Sequence, residues 1–157
     1  MRKFRLLFGT ACALSSAALV ACDWNPSRPF DRHSPAVDDS IVLLDAGDAA
    51  ASAATLEEYL STGPCQDGNV GISNMLKKRP NGAFDLGLSF FGIAESYGIR
   101  FGNEEADGGL GEPQRSLRGG QIECGLRVLR AFSQDSTLST ELRARAHYVE
   151  GNLLFLD

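Results

Sequence analysis

The chain opens with the cations Arg2, Lys3 and Arg5, followed by an apolar run from Leu6 to Val20, and this layout withdraws its first residues from any folded domain. Charges ahead of an apolar stretch stay on the cytoplasmic side while the stretch enters the membrane, as in an export signal. A run of about 15 residues rich in Ala and Ser falls short of the ~20 that a stable span requires. Residues 1–21 are therefore expected to be cleaved, which leaves one modest domain from a chain of 157 residues. The chain carries 15 Lys and Arg against 20 Asp and Glu, and the cleaved segment takes cations with it. That acidic balance argues against a nucleic-acid partner, because phosphate binding requires a basic stripe.

The segment ends Leu19-Val20-Ala21-Cys22. This resembles the lipobox of bacterial lipoproteins, in which a branched apolar residue and two small ones precede an obligatory cysteine. The resemblance implies that Cys22 is the lipidation site and the mature N-terminus, with a diacylglycerol on its thiol and an acyl chain such as palmitate on its amine. Each buried methylene contributes about 0.8 kcal/mol, so two or three chains hold a protein on a bilayer. The implied location is the cell envelope, facing the periplasm or the cell surface. Asp23 resembles the inner-membrane retention signal of enteric lipoproteins, and both membranes stay open. Cys12 follows Gly9-Thr10-Ala11, which lacks the branched residue. The competing reading is an ordinary secretory signal with a buried cysteine.

Residues 22–54 read as a tether. Pro26, Pro29 and Pro35 lie among alanines and aspartates with Arg28 and Arg32 as the cations, too little apolar surface to offset ordering entropy. Trp24 suits lipid headgroups, Ile41-Val42-Leu43-Leu44 reads as a local apolar patch, and His33 has no second metal ligand near it in sequence.

Residues 55–157 read as helices, so the fold class is all-α. Thr55-Leu56-Glu57-Glu58 is a capping-box pattern that places a helix start at Thr55, and Gly63-Pro64 a stop. A helix is expected over 69–78, ended by Pro80, and another from Ala83 to Tyr97, where Phe84, Leu88, Phe91 and Ala94 keep helical spacing. Gly87 and Gly92 each cost about 1 kcal/mol of helix propensity and are tolerable where another helix packs closely. Residues 98–120, rich in Gly and carrying Glu104, Glu105 and Asp107, read as a solvated loop whose acids do not match a calcium loop. Ile122, Leu126, Leu129 and Phe132 mark a helix over 121–132. Ser139 or Thr140 caps the last helix, whose Leu142, Ala146, Val149, Leu153 and Leu156 alternate by four and three.

The last helix, through Tyr148, Gly151, Asn152 and Phe155, resembles the first helix of a tetratricopeptide repeat, with Glu150 in place of the usual leucine and His147 in place of the tryptophan. The stretch around Gly87 looks like a weaker copy. The resemblance implies an α-solenoid of helical hairpins in which Gly87 and Gly151 admit a neighbouring helix, and a scaffold that binds extended peptides or partner helices in the cell envelope. The rival class is a cell-wall glycan hydrolase or glycan-binding protein on a generic helical domain, with Asp85 and Glu95 as acids. These lie ten residues apart in sequence without flanking aromatics. No Gly-x-Ser-x-Gly, His-Glu-x-x-His or phosphate loop occurs, so an enzyme is not expected, nor a metal or cofactor. His147 reads as a packing residue.

Cys65 and Cys124 are the cysteines left outside the signal and the lipid site. They are either bridged or separately buried, and an oxidising compartment favours the bridge. Helical repeats bury their apolar faces only against neighbours, and Tyr148, Leu154 and Phe155 widen the stripe of the last helix. The domain is therefore expected to be incomplete at its C-terminus and marginally stable alone.

Overall fold

The computed structural model describes residues 34–97, 111 and 113–156. The export signal, Cys22 and the tether as far as residue 33 lie outside the described residues. The remainder is all-α: α1 (Pro35–Asp45), α2 (Ala49–Leu60), α3 (Asn74–Lys78), α4 (Pro80–Ser96), α5 (Gln114–Ser133) and α6 (Thr140–Leu156). Among the described residues, the pairing outside helices is a single bridge between Gln66 and Asn69.

The second half of the expected tether is instead two helices. Pro35 sits in the first turn of α1, where its missing N–H costs nothing. The Asp48 carboxylate caps α2 by accepting from Ala51 N at 3.0 Å, and the run that follows is built on alanine, the best helix former. The same Ala and Asp content that reads as disorder thus supplies a propensity and a cap. Thr55 is accordingly not a helix start. It lies inside α2 and its hydroxyl donates to Ala51 O at 3.0 Å. The helix closes at Ser61, which takes a left-handed conformation (φ 54°).

What the tether lacks in large apolar groups it gains in close approach. The α2–α4 pair runs antiparallel through small residues. A Cβ on Gly92 would lie 3.0 Å from Ala49 Cβ, and one on Gly82 3.1 Å from the Tyr59 ring. Between them the Ser52 and Ser89 hydroxyls, both fully buried, share a hydrogen bond of 2.9 Å. Arg79 stacks over Tyr59, 4.0 Å from its centroid, and donates to Tyr59 O. Pro80, read as the end of a helix, is also the beginning of α4.

On its other side α4 meets α5. A Cβ on Gly87 would fall 2.5 Å from Leu129 Cδ2, and one on Gly125 3.3 Å from Phe90 Cβ and 2.8 Å from Leu153 Cδ1. Leu86, Phe90, Ile122, Leu129, Phe132, Val149 and Leu153 form the core around this contact. The helix α4 also touches α1, α3 and α6, so it is the element around which the rest assembles.

Gly119 and Gly120, expected in a loop, belong to α5, which begins at Gln114 rather than near Gln121. The turn containing Gly68 (φ 75°) settles on Gly120: a Cβ there would lie 3.4 Å from Gly68 N. Cys65 and Cys124 are bridged at this contact, with Cα atoms 6.1 Å apart. Ahead of α3, residues 69–73 are not helical, and Ser73 caps the short helix by accepting from Met75 N.

The bridge spans a sequence separation of 59 residues, for which loop-closure entropy gives about 4 kcal/mol. Replacing Cys65 and Cys124 together by alanine is expected to lower the unfolding free energy by about that amount in urea titration. Gly87→Ala is expected to cost about 1–3 kcal/mol through overpacking against Leu129. Gly151→Ala, where nothing lies within 4 Å of the added carbon, is expected to raise stability by up to about 1 kcal/mol.

Candidate functional site

The amphipathic pattern of α6 places Ala146, Val149, Leu153 and Leu156 in the core, and Ser139 caps the helix by accepting from Leu142 N at 3.3 Å. Two polar links hold its other flank. The buried Ser133 donates to Glu150 Oε1 at 2.6 Å, and its carbonyl accepts from Arg143 Nε at 2.9 Å. Glu150 is thus a tie between α6 and the end of α5.

Directly opposite the core side of α6 runs a second stripe of Ala144, Tyr148, Gly151 and Phe155, with Leu154 beside it. Tyr148 is 72% exposed, Phe155 57% and Leu154 53%. Gly151 is exposed with no atom near its missing side chain, and Asn152 is half-buried at the margin. Of the residues expected to pack a repeat, Gly87 receives a neighbouring helix, through Leu129 of α5. Gly151 does not, because the elements packed on α6 are α4 and α5, both on its core side. His147 is likewise exposed instead of packed, its Nδ1 3.5 Å from Glu150 Oε2. The order Ser133, Glu150, His147 puts the carboxylate between hydroxyl and imidazole, so the histidine has no hydroxyl to activate.

The two acids of the hydrolase reading are not brought together. Ten residues along one helix separate Asp85 and Glu95 by about 15 Å, wider than paired glycosidase carboxylates at roughly 5–9.5 Å. Glu95 is exposed. Asp85 lies in the close α2–α4 stripe between Gly82 and Ser89, at the level of the buried Leu56 in that register. Burial pushes its carboxyl up to about 6. Burial also raises Glu57, opposed by the hydrogen bond it accepts from Cys65 N. Among the described residues, no group of three or more His, Cys, Asp or Glu is placed to hold a metal ion, and no helix is long and apolar enough to cross a membrane.

Asp85 holds its proton to higher pH folded than unfolded, so folding takes up protons. The stability this group permits is complete below about pH 4 and is lost as pH rises through about 6. Asp85→Asn is expected to remove that decline and to stabilise the domain at pH 7.5 by about 1–2 kcal/mol, after allowing for solvent screening. Denaturant midpoints of both chains from pH 4 to 8 check it, and parallel curves would contradict it. Comparison with protein-family models, with curated proteins and with solved structures returns no match to this chain.

Proposed function

We propose that the protein is a lipid-anchored envelope protein, held on a bilayer through Cys22, whose helical hairpins serve as a protein-interaction scaffold of tetratricopeptide-like type. The observation that carries the reading is that Tyr148 and Leu154 stand exposed on a helix whose other side is engaged in the core. Contiguous exposed apolar surface on a soluble domain is a mark of a partner site. The order of helix contacts supports the hairpin reading. The α1–α2 pair packs on α4, α4 pairs with α5, and α6 lies against both α4 and α5, the neighbour pattern of two stacked hairpins followed by the first helix of a third. In such a stack the outer side of the last helix is where the next element lies.

The anchor and the face are tested together in producing cells. Cys22→Ser is expected to abolish palmitate incorporation and release the chain from the membrane fraction. A photo-crosslinking side chain at Tyr148 is expected to give an adduct with protein, and one at the exposed Arg127 of α5 to give none. Normal palmitate labelling of the serine variant would end the lipoprotein reading. Absence of any adduct at Tyr148 would end the scaffold reading.

A further inference from the structure

We propose that the outer ridge of α5, through Arg127 and Arg130, lies against the anionic headgroups of the bilayer on which the chain is held, and so fixes which way the domain faces. This goes beyond the scaffold reading and rests on its membrane anchor. Charge is unevenly divided along the chain. Residues 34–76 carry seven acids and no Lys or Arg, and α1 and α2, which hold most of these acids, meet α4 on the side of Gly82 and Gly92. The cations follow on α3, α5 and α6, and α5 meets α4 on the other side, through Gly87 and Leu129. One pole of the domain is therefore acidic and the other cationic. Most of the cations are already engaged. Lys77 lies 3.7 Å from Asp135, Arg79 stacks on Tyr59, Arg143 donates to Ser133 O, and Arg145 pairs with Glu141. Arg127 and Arg130 are exposed, and among the described residues neither has an acid at ion-pair distance. They sit on one ridge with Glu123 and Gln134, about one residue per turn. Glu123 lies beside the Gly68 turn and Asp135 beside Lys77, so the segment 68–77 borders this ridge and ends on the exposed Lys78.

A surface of fixed negative charge attracts these three cations and repels the α1–α2 pole, and both effects turn the domain the same way. Each Lys or Arg near an anionic leaflet raises partition about fivefold. Three give about a hundredfold, weak for a free protein and ample for one whose anchor already holds it at the surface. The ridge also suits a headgroup layer better than a protein pocket, because Glu123, Arg127, Arg130 and Gln134 bring no aromatic or aliphatic anchor of the kind on which protein interfaces turn. The connection permits the orientation. The chain from Cys22 to Ser34 can span up to about 40 Å, more than the roughly 35 Å width of a domain of this size. The ridge of α5 can therefore reach the headgroups although the chain enters the domain at α1.

The test uses the full chain reconstituted in vesicles of phosphatidylcholine alone or with one-third phosphatidylglycerol. A fluorescent non-natural side chain is placed at Gln134 on the ridge or at the exposed Ala54 of α2, and quenching by headgroup-labelled lipid is measured. Strong quenching is expected at Gln134 in the anionic vesicles and little in the neutral ones, with little at Ala54 in either. About 0.5 M salt, where the screening length falls to about 4 Å, is expected to remove the difference. Arg127→Gln combined with Arg130→Gln is expected to lower the ratio of facing to averted domains about 25-fold without loss of thermal stability, since both side chains are exposed. Equal quenching at the two positions, or quenching at Gln134 that survives the double substitution, would overturn the proposal. A protein adduct from the crosslinking side chain at Arg127 would also overturn it and assign the ridge to an acidic protein partner. Normal palmitate labelling of Cys22→Ser would remove the anchor and this orientation together, whereas equal quenching with the anchor intact would remove the orientation alone.

Discussion

The fold depends on how closely α4 can be approached from two sides at once. Toward α2 it presents Gly82, Ser89 and Gly92, and toward α5 it presents Gly87. Each glycine lowers the intrinsic stability of the helix, and each is positioned where a β-carbon would meet a neighbouring helix. A central helix of ordinary bulk would hold α2 and α5 further away and loosen the core around Phe90 and Leu129. The weak helix former is thus the condition for dense packing.

That logic was partly legible in the sequence. The spacing of Phe84, Leu88, Phe91 and Ala94 marks α4, and the capacity of Gly87 and Gly92 to admit a helix follows from their place in an apolar pattern. The alternation through Leu142, Ala146, Val149, Leu153 and Leu156 marks α6. The helical segment over 35–54 was not legible, because a hydropathy reading scores Ala and Ser as weak core formers. Ser52 and Ala53 are buried because they are small, and a small residue signals a core only once its partner stripe is known. The recurrence of Gly82, Ser89 and Gly92 on one side of α4 was the available clue. Gly120 misled for the converse reason, since glycine that serves a close contact with Gly68 looks locally like glycine that ends a helix.

The candidate face shows the same division. Tyr148, Leu154 and Phe155 could be picked out as surplus apolar groups on α6 by counting residues per turn. That no described helix lies over Gly151 depended on where α4 and α5 lie, which is long-range information. Asp85 was visible as an acid in an apolar helix. Its burial comes from the stripe it shares with Gly82 and Ser89, and burial alone accounts for its raised pKa.

The Cys65–Cys124 bridge fastens the α2–α3 connection to the middle of α5, while α4 is clasped between α2 and α5. Among the described helices, α1 packs on α2 and α4, and α6 on α4 and α5, so local opening is expected to begin at these two. In the language of amide exchange, α4 and the centre of α5 release their protons only when the whole domain unfolds, whereas α1 and α6 exchange through partial openings of lower free energy. The helix that carries the exposed Tyr148 is thus expected to open more readily than the central α4 it packs on.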